Sequence, residues 1–160
     1  MSRVSNILLL VSTFVAAPTI PPAIAKPIAQ SVLISSTPLT GAPAGASAFH
    51  IQYRSQAVGG GRNAVTGVII VPNGTAPPGG RNVVAWAHGT SGVAQNCAPS
   101  QSKELFGSIA GLNAMLAAGY AVVATDYAGL GTPGPHPYLV GNGSAYSVLD
   151  SIRAAREFGR

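Results

Sequence analysis

Two segments early in the chain show the hydrophobic pattern of β-strands. Phe49, Ile51 and Tyr53 alternate with polar residues, and this period of two is typical of a half-buried strand at the edge of a sheet. The run 65–71 is nearly all apolar and stops at Pro72, where a strand is expected to end. Because consecutive glycines lie between the two segments, we predict that they pair as an antiparallel hairpin.

Two later segments are apolar without interruption. Residues 83–87 and 121–124 carry no polar side chain, and such runs are typical of strands that are covered on both faces. We therefore predict that both segments are central strands. Trp86, which lies within the first of them, is predicted to be buried.

One segment with helical periodicity lies between these two runs, and a second segment follows them. A helix is predicted over 102–119, where four apolar residues share one face: Leu105, Ile109, Leu112 and Leu116. A second helix is predicted over 145–158, with an apolar face formed by Val148, Leu149, Ile152 and Ala155. The order of hairpin, strand, helix, strand and helix indicates an α/β fold. It predicts an antiparallel hairpin followed by the start of a parallel sheet with right-handed crossover helices.

Composition narrows the classes of protein to which the chain can belong. Its 160 residues suffice for one domain, and a composition of 47% hydrophobic and 8% charged residues favours a buried core over a disordered chain. The net charge of +5 comes from scattered residues, so nucleic-acid binding is not expected. One cysteine and three widely separated histidines form no metal-binding pattern, and we predict no metal or other cofactor.

The first residues carry the pattern of an export signal. Arg3 precedes the apolar segment 7–17, which is too short to span a bilayer, because a transmembrane helix takes roughly 20 residues. The motif Ala-Ile-Ala at 23–25 supplies the small residues that a signal peptidase reads. We predict a cleaved signal peptide at 1–25 and a secreted protein, extracellular or periplasmic. An uncleaved membrane anchor is the alternative.

The remainder of the chain is predicted to have two parts. Residues 26–48 are rich in Ser, Thr, Pro and Gly and are interpreted as an extended lead-in, and residues 49–160 as part of one α/β domain. Export implies an oxidising compartment. Cys97 is then either a plain buried thiol or a cysteine whose partner lies outside this sequence.

Five motifs occur in a fixed order along the chain. They are AHGT at 87–90, CAPS at 97–100, DYAGLG at 126–131, HPYLVG at 136–141 and LDSIRAAR at 149–156. Together they resemble the secretory lipase family, a group of exported α/β-hydrolases. The resemblance extends from about Tyr53 to the end of the sequence.

This resemblance implies a fold, an activity and a set of site residues. The fold is the N-terminal portion of an α/β-hydrolase, and the activity is hydrolysis of carboxylic esters, commonly triacylglycerols, by a Ser-Asp-His triad. Gly89 and Thr90 correspond to the backbone of the loop that forms part of the oxyanion hole, where small residues let peptide N–H groups approach the oxyanion to about 3 Å. The expected partners are a lipid or ester substrate and, transiently, a membrane or lipid surface.

The sequence departs from the family pattern at the catalytic residues. It contains no G-x-S-x-G, and in this fold the acid and the base follow the nucleophile. We therefore expect the chain to be the N-terminal part of a larger protein and to be inactive alone. Ser91 lacks the spacing and the preceding strand of a nucleophile elbow and is not expected to replace it.

Three other polar residues invite a catalytic interpretation. Asp126 follows a strand and is expected to anchor the next loop by hydrogen bonds, and His88 to tether the oxyanion loop. His136, between two prolines, either lines the mouth of the substrate pocket or packs within its loop. Two other functions stay open: a non-catalytic secreted lipid-binding protein, and another α/β-hydrolase reaction such as peptide hydrolysis.

Overall fold

The computed structural model describes residues 31–159 of the chain. The predicted signal peptide at 1–25 lies outside the described residues, as does the start of the lead-in. The strands are β1 (Leu33–Leu39), β2 (Ala46–Gln56), β3 (Arg62–Pro72), β4 (Val83–Trp86) and β5 (Ala121–Thr125). The α-helices are α1 (Leu105–Ser108), α2 (Leu112–Ala117) and α3 (Gly141–Phe158), and two single 3-10 turns lie at Gln95–Cys97 and Pro99–Gln101.

The strands form one mixed sheet with the order β1-β2-β3-β5-β4. β2 and β3 form the predicted antiparallel hairpin, with partners from Ala46 opposite Pro72 to Gln56 opposite Arg62. β4 and β5 are parallel neighbours, whereas β5 lies antiparallel to β3. The structure therefore contains the predicted order of elements, an antiparallel hairpin followed by a pair of parallel strands.

The prediction that residues 49–54 form an edge strand is wrong. β1 lies antiparallel to β2 on its outer side, so the edge of the sheet falls within the segment interpreted as a lead-in. β1 has only its terminal leucines partly covered, and its central residues are exposed. Such a strand carries no hydrophobic alternation, because its pairing depends on backbone hydrogen bonds rather than on buried side chains.

β4 is the other edge of the sheet within the described residues. Every residue of this strand is partly exposed, Trp86 included, so within the described residues the strand is neither central nor fully covered, and a buried Trp86 stays a prediction for a complete sheet. An apolar run indicates how much surface a strand can bury. It does not identify the neighbours that would bury that surface.

The segment predicted as one helix over 102–119 forms two short helices, α1 and α2. Ile109 is extended, and Gly111 has a φ of +74°, which is a left-handed conformation that glycine adopts without strain. The four apolar residues of the predicted face are nevertheless all buried. They pack with Val68, Ile70 and Val122 on one face of the sheet.

Helix α3 covers the opposite face of the sheet. It begins at Gly141, earlier than predicted, and its buried residues include Ser147, Ser151 and Ala154. The predicted apolar face is therefore wrong in part, because Leu149 is 51% exposed. Small side chains on the buried face let the helix approach the sheet closely. The chain contains no helix, among residues 31–159, that is long and apolar enough to cross a membrane.

The end of α3 is bonded to the beginning of β1. The carboxylate of Glu157 accepts hydrogen bonds from the N–H groups of Val32 at 3.1 Å and Leu33 at 2.9 Å. It also accepts one from the Ser31 hydroxyl at 2.6 Å. These bonds hold the start of β1 to α3, and the Arg54 N–H, which donates to the carbonyl oxygen of Val32 at 2.8 Å, holds it to β2.

The core beneath α3 contains a buried tyrosine hydroxyl. The Tyr53 hydroxyl donates to the carbonyl oxygen of Ser147 at 2.9 Å and lies 2.5 Å from the Thr125 hydroxyl. Since its single proton goes to Ser147, Thr125 donates to Tyr53. Burial raises the pKa of Tyr53 well above its ordinary value of 10.0.

This raised pKa predicts a loss of stability at alkaline pH. The unfolded chain ionises Tyr53 above its ordinary pKa while the folded chain keeps it protonated, so its contribution is complete below about pH 10 and falls by roughly 1.4 kcal/mol per pH unit above that. Urea unfolding between about pH 9 and 12 measures this slope. The slope should decrease in Tyr53→Phe and not in Tyr120→Phe, which changes an exposed ring. Equal slopes in wild type and Tyr53→Phe would contradict the prediction.

Candidate active site

The loops that follow β4 and β5 meet at one edge of the sheet. Because parallel neighbours end on the same side, the segment 87–92 after β4 lies beside 126–131 after β5. A cavity of about 230 Å³ lies between these loops and the segment 136–144. Gly89, Thr90 and His136, the three site residues predicted from the sequence, all line this cavity.

A second and larger cavity borders the same loop. Its volume is about 670 Å³, and it runs along Trp86 and the segment 96–102. Gly89 and Thr90 line this cavity as well. The backbone of the two residues therefore borders both cavities.

The peptide N–H groups of Gly89 and Thr90 have no acceptor among residues 31–159. Both residues are exposed. A Cβ atom added at Gly89 would meet nothing within 4 Å, and its φ is not left-handed. No described neighbour therefore requires glycine here, whereas a ligand that approaches the backbone closely would.

His88 connects the loop to the end of β5. Its Nδ1 lies 2.5 Å from the carbonyl oxygen of Gly89, and its Nε2 lies 3.3 Å from that of Asp126. The ring holds the loop in place, as the sequence predicts.

Tyr127 is a site residue that the sequence analysis missed. Its hydroxyl donates to the carbonyl oxygen of His88 at 3.1 Å, and the two rings lie 4.4 Å apart between centroids. Its φ is +68°, which is strained for a residue with a side chain. Burial raises the pKa of Tyr127, which keeps the hydroxyl protonated and able to donate. The only signal in the sequence is its position directly after a strand, within DYAGLG.

Asp126 is a buried structural carboxylate. Its Oδ1 accepts the N–H of Ser100 at 2.8 Å, and its Oδ2 accepts the hydroxyls of Ser100 at 2.5 Å and Thr66 at 2.7 Å. The expectation that it anchors the following loop is corrected: it holds the preceding segment 99–101 to the sheet. The side chain is 1% exposed and lies away from the cavities described above.

His136 combines the two interpretations that the sequence leaves open. Its Nδ1 lies 2.9 Å from the carbonyl oxygen of Ala128, so it is bonded within its own loop region, and it also lines the smaller cavity. Tyr138 follows it, with its hydroxyl 3.3 Å from that of Thr90. Leu139 then adopts a φ of +63° and is 87% exposed. The rim of the cavity is therefore aromatic and apolar.

Ser91 has no catalytic partner in the described part of the chain. Its hydroxyl donates to the carbonyl oxygen of Cys97 at 2.8 Å. Cys97 is a free, partly covered thiol. Residues 31–159 also contain no cluster of side chains suited to hold a metal ion.

Residues 106–160 match the secretory lipase family. The resemblance seen in the motifs is confirmed. No match was found among curated protein sequences.

Solved structures of esterases and lipases share this fold. The rice cell wall degrading esterase LipA from Xanthomonas oryzae is 27% identical with a TM-score of 0.61, over 81% of this chain and 38% of that one. Candida antarctica lipase A in its closed state is 21% identical with a TM-score of 0.64, over 81% of this chain and 32% of that one. A putative hydrolase from Legionella pneumophila is 24% identical with a TM-score of 0.54, over 71% of this chain and 30% of that one.

These likenesses confirm the predicted fold class. The chain has the N-terminal portion of an α/β-hydrolase fold, with a sheet that is open at β4 in the described residues. It spans well under half the length of the solved relatives, at 38% of the esterase and 32% of the lipase.

Proposed function

We propose that this chain forms the oxyanion side of the active site in a secreted lipase or carboxylic ester hydrolase. The observation that carries the proposal is the pair of unpaired N–H groups at Gly89 and Thr90, which border two cavities where β4 ends. A glycine that no described neighbour requires lies at the centre of this arrangement. The likeness to a cell wall degrading esterase and a lipase supports ester chemistry.

Ester hydrolysis needs such donors because negative charge develops on the carbonyl oxygen in the tetrahedral transition state. Backbone N–H groups placed about 2.7–3.1 Å from that oxygen stabilise the charge without having to reorganise. In α/β-hydrolases the second donor is the N–H of the residue after the nucleophile. We propose that Gly89 and Thr90 supply the first part and that His136 lies at the mouth of the substrate pocket.

The proposed substrate is an ester with an apolar acyl chain, such as a triacylglycerol. Tyr138, Leu139 and Val140 are 45%, 87% and 41% exposed and lie beside or on the rim of the smaller cavity. Apolar side chains in this position suit transient contact with a lipid surface. Export follows from the proposed signal peptide at 1–25.

The chain alone is expected to show no enzymatic turnover of esters, because its sequence contains no G-x-S-x-G. The measurement is the release of p-nitrophenol from a short-chain ester, and of fatty acid from a triglyceride emulsion, by the purified full chain. Ser91→Ala is the matched control. Turnover that survives purification and disappears in Ser91→Ala would contradict the prediction and identify an unusual nucleophile.

The coding region after Arg160 offers a direct test of the proposed function. We expect an in-frame strand followed by G-x-S-x-G, and a serine within it that a fluorophosphonate labels in the longer protein. A region without any such serine would contradict an esterase. It would favour the non-catalytic lipid-binding protein instead.

A further inference from the structure

We propose that Tyr127 is a positioning residue that sets the direction of the Gly89 N–H in the oxyanion loop. The inference rests on the proposed function, since it concerns how the same loop is prepared to receive an oxyanion. It adds a side chain from the end of β5 to a site whose donors come from the loop after β4.

The peptide group between His88 and Gly89 is planar, so one hydrogen bond to it orients both of its ends. The Tyr127 hydroxyl donates to the carbonyl oxygen of His88 at 3.1 Å, and no peptide bond in the described chain is cis. In a trans peptide the C=O of one residue and the N–H of the next point in opposite directions. The hydrogen bond from Tyr127 therefore also fixes the Gly89 N–H.

The direction of that N–H follows from the position of the Tyr127 hydroxyl. Tyr127 follows β5, the parallel neighbour of β4 on one side, and no described strand pairs with the other side of β4. A carbonyl that points to the Tyr127 hydroxyl leaves the Gly89 N–H pointing away from that hydroxyl. Gly89 borders both cavities at this point.

Tyr127 is itself held firmly in an unfavourable conformation. Its φ of +68° is one that glycine would adopt without strain, so the tyrosine side chain needs a compensating role. Its N–H donates to the Thr125 hydroxyl at 3.0 Å, and that hydroxyl donates onward to Tyr53 at 2.5 Å. Strained residues persist where their surroundings over-determine them, and they cluster at functional sites.

The next peptide group is controlled in the same manner by His88. Its Nδ1 bonds the carbonyl oxygen of Gly89 at 2.5 Å, so the Thr90 N–H points away from the imidazole. Both carbonyls of this segment are thus bonded to side chains, and both N–H groups have no acceptor in the described chain. Donors whose direction is fixed before a ligand arrives are one requirement of a preorganised oxyanion site.

The test compares Tyr127→Phe with wild type by nuclear magnetic resonance of the ¹⁵N-labelled full chain. Phenylalanine keeps the ring and removes only the hydroxyl. We expect the Gly89 N–H to lose its fixed direction, with its order parameter falling from about 0.85 to below about 0.6 and its residual dipolar coupling changing, while residues of β5 keep theirs. Tyr120→Phe, at a ring 36% exposed, should leave Gly89 unchanged.

Titration with butyrate, a carboxylate that mimics the oxyanion, separates this inference from the proposed function. We expect saturable shifts of the Gly89 and Thr90 amide signals in wild type, and binding about fivefold weaker in Tyr127→Phe. If Gly89 keeps its direction and affinity in the variant, the positioning role is overturned even though the site binds butyrate. If Gly89 loses its direction but wild type binds no butyrate, the positioning role holds and the two N–H groups alone do not form an anion site, which removes the observation that carries the proposed function.

If Tyr127→Phe does not fold, a measurement on the wild-type chain still tests the inference. The residual dipolar coupling of Gly89 must then agree with an N–H that points away from the Tyr127 hydroxyl. Disagreement would overturn the inference without any variant.

Discussion

Replacement of Asp126 by alanine is expected to destabilise the fold by about 3 kcal/mol. The change leaves the buried Ser100 N–H without its acceptor and removes the strongest partner of two hydroxyls, those of Ser100 and Thr66. Each buried polar group left unsatisfied costs about 1–3 kcal/mol, and removal of the buried charge offsets part of the sum. Urea unfolding of the full chain, followed by circular dichroism, measures the loss.

The matched control for this variant is Glu104→Gln. Glu104 is exposed, and a surface substitution of this kind usually changes stability by less than about 0.5 kcal/mol. A loss below about 1 kcal/mol in Asp126→Ala would mean that the segment 99–101 is held by something other than this carboxylate.

Replacement of Gly129 by alanine is expected to cost more than about 4 kcal/mol, or to prevent folding. The added Cβ would lie 2.5 Å from the His136 nitrogen and 2.6 Å from the Pro135 carbonyl carbon. Backbone atoms cannot rotate away as a side chain would, and the φ of +80° at Gly129 adds strain. Thermal unfolding of the full chain checks the prediction.

Gly89→Ala is the paired variant in the same site region. Its Cβ would meet nothing within 4 Å and its φ is ordinary, so stability should change by less than about 0.5 kcal/mol. Similar unfolding temperatures for the two variants would show that the segment 135–138 yields without cost. The difference in unfolding temperature between the two variants distinguishes Gly129, which the fold needs, from Gly89, whose surroundings leave space for a ligand.

The sequence predicts the strands better than it predicts their neighbours. The alternation at 49–54 and the apolar runs identify β2, β3, β4 and β5, because side-chain burial follows directly from hydrophobicity. Their places in the sheet depend on other segments. β1 is not predicted because its apolar residues do not alternate and its central residues are exposed, and β4 is an edge of the described sheet despite its apolar run.

The helices show a second limit on what the sequence pattern predicts. The buried face of α1 and α2 was predicted correctly, but the break at Gly111 depends on a left-handed φ that one glycine permits and does not demand. In α3 the contact with the sheet is made by serines and alanines, whose small size matters more than their hydrophobicity. A pattern based on apolar residues alone therefore predicts a helix face that is only partly the buried one.

The candidate site also contains residues that the sequence predicts and one residue that it does not. Gly89 and Thr90 were predicted from a short motif after a strand, and the structure places them together with His136 around one cavity. The contribution of Tyr127 was not predicted, because it depends on a φ of +68° that tyrosine rarely adopts. Only the three-dimensional arrangement shows that its hydroxyl reaches the carbonyl oxygen of His88.

The bonds from Glu157 to the start of β1 also set an order of events during synthesis. Residues 31–33 leave the ribosome well before their partner, which follows about 125 positions later. A contact between such distant positions pays a large loop-closure entropy and forms late. The pairing of β1 with β2 and the bonds from Arg54 need only nearby residues, so the outermost strand can form early and is tied to α3 only when that helix has been made.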